Sequence, residues 1–468
     1  MIIEKVKINY QTMLKKILLI VVLIAFTSTF AQDTIRGKMI PAKKYSWTIL
    51  YKLNGVSQKY VANSTVTNGE FTIEIPKGST PGMYRVLYDN NNNKFIDIIY
   101  NNENIEFEFH PDYPAELVKF KKSDENKLYQ EYIEKISSVQ NNLDSIQVVY
   151  FKTKDTKEEK KLTKIYTKNL KNAITLQSSF EEKTNGKLAS HYVKASKRYY
   201  SNTLIKDTNE YLEKIKAHFF DYVDFSNTTL VKSSLLIDRV MDYVMYLNTS
   251  DDADTLIKLR KDAIVTVLSK IEAAKFKKDV IESLAYTFGQ QENAIMVKYI
   301  FDNHYSKLPI SLQDFEFKKT VMDMLKTTIG QQAPNIVWQE KGKDKTLYKL
   351  KGHKYYLVVF WSSTCPHCLK ELPRLQKFLE GKKDIKTIAI GLETEESRLA
   401  WKEETFYYEN FIHILGTNKY KNKYVEDYGV ASTPNFFLLN ENKTIIEKPY
   451  DVKALKKIFE NIKSEKKK

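Results

Sequence analysis

The hydrophobic pattern changes period twice along this 468-residue chain, and these changes constrain the fold more than any other feature. Between residues 33 and 110, short runs of alternating apolar and polar residues are separated by turn signals such as Asn54-Gly55 and Asn68-Gly69. A period of two is typical of strands that bury one face. We therefore predict that residues 32–112 form an all-β domain, an antiparallel sandwich.

From about Ala115 to Thr328 the apolar residues recur every three or four positions instead. One such run extends from Leu128 to Tyr150 and a second from Leu162 to Phe180, and the charged residues 152–161 separate them. This spacing puts the apolar side chains on one face of a helix. We predict that residues 113–329 form an all-α domain whose first two helices make an antiparallel hairpin.

After Gly330 the pattern alternates between strands and helices. Pro334 disfavours continuation of a helix, so we place a domain boundary at Gly330. The apolar run Tyr355–Trp361 predicts a buried strand, and residues 365–380 predict the helix that follows it. Because alternating strands and helices give a sheet covered by helices, we predict that residues 330–468 form an α/β domain. The whole chain is then multidomain.

The first 31 residues have the pattern of a secretory signal peptide. Lys15 and Lys16 precede the apolar run Ile17–Phe26, and small residues lead to Ala31 at the positions that a signal peptidase reads. The apolar run is shorter than the roughly 20 residues that a membrane-spanning helix needs. We predict cleavage after Ala31 and export to the periplasm or cell envelope. A retained N-terminal membrane anchor is the alternative.

The formal net charge of +16 raises the question of a nucleic-acid partner. The lysines, however, are spread along the chain and interleaved with acidic residues, as in residues 152–161. Charged runs without a recognition motif are usually solvated surfaces. We therefore expect no nucleic-acid partner.

Cys365 and Cys368 are the two cysteines of the chain. A pair this close in sequence cannot link distant segments, although exported proteins often use structural disulfides. A structural zinc site needs four ligands, and the seven histidines show no paired spacing that could complete one. We therefore expect no metal site and no cofactor, and we interpret the cysteines as a reactive dithiol.

The two cysteines lie where a predicted strand, ending at Trp361, is followed by a helix. The unpaired backbone N–H groups and the dipole at a helix N-terminus stabilise a thiolate, so Cys365 should have a lowered pKa and act as the nucleophile. Cys368, one turn along the helix, is placed to attack Cys365 and resolve a mixed disulfide. This arrangement predicts thiol–disulfide exchange.

Residues 333–465 resemble the TlpA/ResA-like branch of the thioredoxin superfamily. The matching segments are Ala333-Pro334, Phe360-Trp361, Cys365-Pro366-His367-Cys368, Glu371-Leu372-Pro373 and the family's cis-proline loop at Thr433-Pro434. The resemblance covers less than a third of the chain and implies a thioredoxin fold for the C-terminal domain. The β-sandwich and helical extension before it is similar to the extensions of Bacteroidetes-type envelope proteins.

The resemblance also implies roles for residues around the cysteines. The backbone of Thr433 would hydrogen-bond an extended substrate strand, which a cis bond to Pro434 would expose. Trp361 and Pro366 would belong to the same substrate-binding edge. Glu371 would accept the proton of the second thiol. A solvated helix glutamate without a role in the reaction is the alternative for Glu371.

His367 bears on the direction of the reaction. The sequence Cys-Pro-His-Cys also occurs in the oxidant DsbA, whose thiolate is unusually stabilised. A histidine beside the thiolate favours the reduced form. The resemblance to TlpA instead implies a reductase or isomerase that a membrane redox partner recycles. Val359 stands in the place of the buried aspartate of true thioredoxins, so a general-base role would belong to Glu371.

Three functions are compatible with the sequence. The first is disulfide exchange with exported protein substrates through Cys365 and Cys368. The second is a peroxiredoxin-like thiol peroxidase, although the Pro-x-x-x-Thr/Ser-x-x-Cys pattern is missing around Cys365. The third is a binding or scaffold protein of the cell envelope, in which the residues before Pro334 recognise a partner and the thioredoxin-like module senses redox state. The substrate, the direction and the oligomeric state stay open.

Overall fold

The computed structural model describes residues 32–43, 45–90 and 92–465. The predicted signal peptide and its cleavage site at Ala31 lie outside the described residues. The chain divides into two compact units between Lys277 and Lys278. The predicted limits of the three domains, residues 32–112, 113–329 and 330–468, stay a prediction.

The described part of the first unit contains two four-stranded sheets, with strand orders β4-β1-β7-β8 and β3-β2-β5-β6. Their strands are β1 (Thr34–Met39), β2 (Trp47–Asn54), β3 (Ser57–Thr65), β4 (Glu70–Glu74), β5 (Gly82–Asp89), β6 (Lys94–Tyr100), β7 (Ile105–Phe109) and β8 (Val118–Lys122). In β4 every second residue is buried, as the alternating pattern predicts. Ile35, Leu50, Phe71 and Phe107, from both sheets, pack into one core.

One strand pair departs from the predicted antiparallel sandwich. β1 and β7 run parallel, from Ile35 opposite Ile105 to Met39 opposite Phe109. Parallel neighbours need a long connection, and here the chain passes through β2 to β6 between them. The alternation of apolar and polar residues is the same for both strand directions, so it could not predict this pair.

The predicted helical region also begins later than Ala115, because the edge strand β8 comes first. β8 pairs antiparallel with β7 and is largely exposed. Three of its five residues are lysines, Lys119, Lys121 and Lys122. Lysines on an edge strand disfavour pairing with another chain.

Two long helices follow and form the predicted antiparallel hairpin. Buried residues of both, among them Leu143, Tyr166 and Leu170, pack together. The side chains of Ser123 and Asp155 accept hydrogen bonds from backbone N–H groups in the first turns of the two helices. The helices of this region are α1 (Asp124–Lys152), α2 (Thr156–Lys183), α3 (Ala189–Ala195), α4 (Thr208–Ala217), α5 (Thr228–Val231), α6 (Leu235–Met241), continued by a π-helical segment (Asp242–Leu247), α7 (Ala253–Ser269), α8 (Ala274–Gln290), α9 (Ala294–Asn303) and α10 (Phe315–Met324).

The C-terminal region contains a five-stranded sheet of order β13-β12-β11-β14-β15 and a hairpin of β9 and β10. β11, β12 and β13 are parallel, and β14 and β15 are antiparallel to their neighbours. The strands are β9 (Val337–Glu340), β10 (Lys343–Thr346), β11 (Tyr355–Trp361), β12 (Ile385–Glu393), β13 (Ile412–Thr417), β14 (Asn435–Asn440) and β15 (Ile445–Glu447). The helices are α11 (Pro366–Leu379), α12 (Arg398–Thr405), α13 (Lys423–Tyr428) and α14 (Val452–Glu465).

Helices cover both faces of this sheet. Leu372 of α11 and Leu455 of α14 pack on one face, and Val425 and Tyr428 of α13 pack on the other. Consequently every residue of β11 is buried. The three regions confirm the predicted fold class, which is an all-β sandwich, a central all-α region and a C-terminal α/β fold.

Within the described residues, no helix combines the length and the apolar character that are needed to cross a membrane.

Candidate active site

The two cysteines lie at the carboxyl edge of the parallel strands. β11 ends at Trp361, residues 362–364 form a turn, which we call the active-site turn, and Cys365 is the N-cap of α11. Pro366 occupies the first helical position, where its missing N–H costs nothing because that group has no partner in the helix. The Cys365 N–H donates to the Ser362 carbonyl over 3.1 Å. The predicted strand-to-helix junction is therefore the local structure of the site.

The sulfur of Cys365 lies among several hydrogen-bonding groups. It accepts a hydrogen bond from the Cys368 N–H over 3.3 Å, and as a thiol it donates to the Thr433 carbonyl over 3.4 Å. Burial acts to raise the pKa of Cys365, but hydrogen bonds with the side chains of Cys368 and Thr433 and the backbone of Cys368 and His367 together lower it. A lowered pKa on a partly exposed thiol gives an attacking thiolate.

Cys368 has the opposite properties. Both cysteines are free thiols, and that of Cys368 is completely buried. Burial, together with its hydrogen bond to Cys365, raises the pKa of Cys368 to about 12. Cys368 therefore keeps its proton at neutral pH while Cys365 is available to react.

The remaining predicted substrate-binding residues divide into exposed and buried positions. The Thr433–Pro434 peptide is cis, and it precedes β14, whose Asn435 pairs with Phe360 beside the active-site turn. Thr433 and Pro434 are half-buried, and Pro366 is exposed at the start of α11. The Thr433 carbonyl lies 3.4 Å from the sulfur of Cys365, and Pro366 follows Cys365 directly in the chain, while the substrate-binding role of these residues stays a prediction. The side chain of His367 is exposed between the two cysteines.

Trp361 does not lie on the substrate-binding edge where we predicted it. Its side chain is 0% exposed and contacts Tyr408, with ring centroids 6.4 Å apart in an edge-to-face arrangement. Trp361 is the last residue of a strand that is buried on both faces, so its ring enters the core beside Leu372. Its contribution to the site is packing beneath the cysteines.

Glu371 is buried, at 2% exposure, so the alternative of a solvated helix glutamate is wrong. One carboxylate oxygen accepts a hydrogen bond from Arg374 over 2.7 Å and the other from the Val452 N–H over 2.9 Å. Glu371 follows Cys368 by three positions on α11, so the two side chains share a face of the helix. Its role as proton acceptor stays a prediction.

Glu393, the last residue of β12, was not predicted from the sequence. Its carboxylate is 1% exposed and accepts hydrogen bonds from the Ser363 N–H and the Ser397 hydroxyl, both over 2.6 Å. The available signal was an acidic residue directly after the apolar run Ile388–Leu392, at the edge where parallel strands meet. Across the described part of the chain, no three His, Cys, Asp or Glu residues are grouped as metal ligands.

Two family matches cover different parts of the chain. The Redoxin family matches residues 328–461, and a domain of unknown function (DUF4369) matches residues 34–129. A crystal structure of a domain of a possible thiol-disulfide isomerase from Cytophaga hutchinsonii is 26% identical, with a TM-score of 0.26, and covers 30% of this chain and 97% of that chain.

Curated relatives give the clearest assignment. The sporulation thiol-disulfide oxidoreductase A of Bacillus subtilis is 34% identical over 97 residues, which are 20% of this chain and 58% of that protein. The thiol-disulfide oxidoreductase ResA of Bacillus thuringiensis is 30% identical over 131 residues, which are 27% of this chain and 71% of that protein. The chain therefore belongs to the TlpA/ResA-like thiol–disulfide oxidoreductases of the thioredoxin superfamily.

Proposed function

We propose that this protein is exported and exchanges disulfides with protein substrates of the cell envelope through Cys365-Pro366-His367-Cys368. The observation that carries the proposal is the contrast between the two thiols. Cys365 is accessible and has a lowered pKa, whereas Cys368 is buried and its pKa is raised to about 12. An enzyme that attacks with one thiol and resolves with the other needs this difference.

In the reductive direction, the thiolate of Cys365 attacks one sulfur of a substrate disulfide. The S–S bond of the substrate breaks, a mixed disulfide forms, and the other substrate sulfur leaves as a thiolate that takes up a proton. Cys368 then loses its proton and attacks the sulfur of Cys365, so that a Cys365–Cys368 disulfide forms and the bond to the substrate sulfur breaks, and this sulfur leaves as a thiolate that takes up a proton. The substrate leaves with both sulfurs reduced, and the two electrons have come from the Cys365–Cys368 pair. The oxidative direction is the same sequence reversed.

We propose that Glu371 accepts the proton that the Cys368 thiol loses in the resolving step. The support is that Glu371 is buried on the same face of α11, one turn after Cys368. The hydrogen bonds from Arg374 and from the Val452 N–H hold the carboxylate in place. A fixed carboxylate one turn along the helix from the second thiol can act as its general base.

The partly exposed edge at Thr433, Pro434 and Pro366 would bind the substrate as an extended segment. Support comes from the Thr433 carbonyl, which lies 3.4 Å from the sulfur of Cys365. A substrate segment whose cysteine reaches this sulfur would therefore pass beside the Thr433 backbone.

Export rests on the pattern of Lys15 to Ala31, and it places the protein in the periplasm or cell envelope. A membrane redox partner would then recycle the dithiol, because an exported enzyme has no access to cytosolic reductants. Residues 32–112 and 113–329 would be extension domains of this enzyme, ahead of a thioredoxin-like domain of residues 330–468.

The matched variants Cys365→Ser and Cys368→Ser test the exchange mechanism in the full chain. With a disulfide-bonded model protein as substrate, Cys365→Ser should abolish exchange, and Cys368→Ser should accumulate a mixed disulfide that a non-reducing gel detects. Exchange by Cys365→Ser, or no trapped adduct with Cys368→Ser, would contradict the proposal. N-terminal sequencing of protein from the native envelope tests export, since it should begin at Gln32.

A further inference from the structure

Glu393 is an acidic side chain in the core of the C-terminal region, and the mechanism above does not use it. It ends β12, two residues beyond Gly391, which pairs with Trp361 at the end of β11. This register puts Glu393 beside the active-site turn of residues 362–364, just before Cys365. At 1% exposure, its carboxylate depends on protein donors for its hydrogen bonds.

The donors come from the active-site turn and from the segment after β12. One carboxylate oxygen accepts the Ser363 N–H over 2.6 Å. The other accepts the Ser397 hydroxyl over 2.6 Å and the Ser362 hydroxyl over 3.3 Å. The active-site turn is therefore held to β12 at two points, the Ser363 N–H and the Ser362 hydroxyl, of which the Ser363 bond is the shorter.

Further hydrogen bonds connect Ser362 to the cysteines. Its hydroxyl lies 3.0 Å from that of Thr364 and accepts the Thr364 N–H over 3.3 Å. Its carbonyl accepts the Cys365 N–H over 3.1 Å. A hydrogen bond with the backbone of Ser362 also lowers the pKa of Cys368, although burial outweighs it. Ser362, which Glu393 holds by a hydrogen bond, thus contacts both Cys365 and Cys368.

We propose that Glu393 is a positioning residue for disulfide exchange, because its buried carboxylate fixes the active-site turn and thereby the N-cap geometry of Cys365. The proposal deepens the function proposed above and rests on it. Without the carboxylate, the buried Ser363 N–H loses its acceptor, and the turn must shift to find another. Small displacements of a reacting group lower the reaction rate strongly. We therefore expect Glu393→Ala to slow exchange about 10- to 100-fold.

Glu393→Gln separates the hydrogen bonds from the charge. A glutamine oxygen can still accept the Ser363 N–H, and its amide can donate to the hydroxyls of Ser362 and Ser397, which are able to turn and accept. If Glu393 acts by positioning the turn, Glu393→Gln should keep most of the exchange rate. If Glu393 instead accepted a proton in the reaction, Glu393→Gln should slow exchange as much as Glu393→Ala.

The test uses the full chain with Glu393→Ala, Glu393→Gln and the control Glu125→Ala. Glu125 is a matched carboxylate of the first unit, 3% exposed, which accepts the Ala189 N–H over 2.7 Å. Three quantities are measured: the exchange rate with a model disulfide, the pH profile of Cys365 alkylation by iodoacetamide, and the redox potential of the dithiol. We expect Glu393→Ala to raise the midpoint of the alkylation profile and to slow exchange, with Glu393→Gln and Glu125→Ala close to the native protein.

An alkylation profile and exchange rate that Glu393→Ala leaves unchanged would overturn the proposal, and so would a Glu393→Gln variant as impaired as Glu393→Ala. If Glu393→Ala does not fold, Ser362→Ala removes one hydroxyl of the same connection, and it should shift the alkylation midpoint in the same direction by a smaller amount. The alkylation profile needs no substrate. It therefore tests Glu393 even where the native protein exchanges with no model disulfide, which would count against the proposed function alone.

Discussion

The sulfur of Cys365 accepts the backbone N–H of Cys368 over 3.3 Å, so the nucleophile caps the helix that carries its own partner. A thiolate at this position gains both the hydrogen bond and the favourable field of the helix N-terminus. The same arrangement buries Cys368 one turn into the helix. One local geometry thus produces both an activated thiol and a protected one.

This difference predicts that the two thiols react in different pH ranges. Only the thiolate is alkylated. Cys365 should therefore reach half of its maximal alkylation rate at a pH below the pKa of an ordinary thiol, whereas Cys368 should stay unreactive until the pH approaches 12. Iodoacetamide labelling of the reduced protein, read by peptide mass spectrometry, measures both profiles. Equal labelling of the two cysteines at neutral pH would contradict the prediction.

Glu371→Gln should slow the resolving step and leave the first attack unchanged. The amide cannot take the proton of Cys368, and general-base catalysis contributes about 100-fold or more where it operates. Stopped-flow measurements under single-turnover conditions separate formation of the mixed disulfide from its resolution. Glu380→Gln, an exposed carboxylate at the end of the same helix, is the control. A native resolution rate in Glu371→Gln would exclude the assigned role.

The sequence predicted the parts of the site that neighbouring residues determine. A strand ending at Trp361, a helix beginning at Cys365 and the order of the two thiols all follow from local pattern and helix-terminus electrostatics. Glu393 could not be found in this way, because its partners Ser362 and Ser363 lie some 30 positions earlier and meet it only through the pairing of β11 with β12.

Burial was predicted less well than secondary structure. Trp361 was assigned to a buried strand but also to the substrate-binding edge, and Glu371 was left undecided, yet both are buried. Their positions depend on what covers the strand and the helix, namely Tyr408 for Trp361 and the Val452 N–H for Glu371. Both partners are distant in sequence, and an amphipathic pattern does not identify them. The parallel pairing of β1 with β7 was missed because the alternation of apolar and polar residues does not depend on strand direction.

Gly391→Ala should destabilise the sheet beneath the active site. Gly391 lies in β12 opposite Trp361, and a Cβ atom there would overlap the indole ring of Trp401. Forcing extra volume into a packed core costs about 1–3 kcal/mol. Gly416→Ala in the neighbouring strand is the control, since its Cβ would meet the Asn422 side chain and the Gly391 carbonyl oxygen at 3.2 Å, a tight contact without the overlap found at Gly391. Denaturant unfolding should give a lower free energy for Gly391→Ala than for Gly416→Ala, and the reverse order would refute the packing argument.

His367→Ala should make the disulfide harder to reduce without abolishing exchange. His367 is exposed between the two cysteines, and its imidazolium form would stabilise a thiolate on Cys365. Loss of this stabilisation raises the pKa of Cys365 and disfavours the reduced form, so the potential of the dithiol should become more negative. A shift of about 30 mV corresponds to about 1.4 kcal/mol, which a titration against glutathione resolves.

Lys370→Ala provides the control for His367. Lys370 is an exposed cation on the same helix, beyond the cysteine pair, and its removal should leave the potential close to the native value. If both variants shift the potential equally, the effect is one of general surface charge and not of the residue between the cysteines. If His367→Ala alone moves the potential, the effect belongs to His367. The potential of the native protein separately indicates the direction in which the dithiol works. A potential near that of glutathione or above it favours an oxidant or isomerase, and a much lower one favours a reductase.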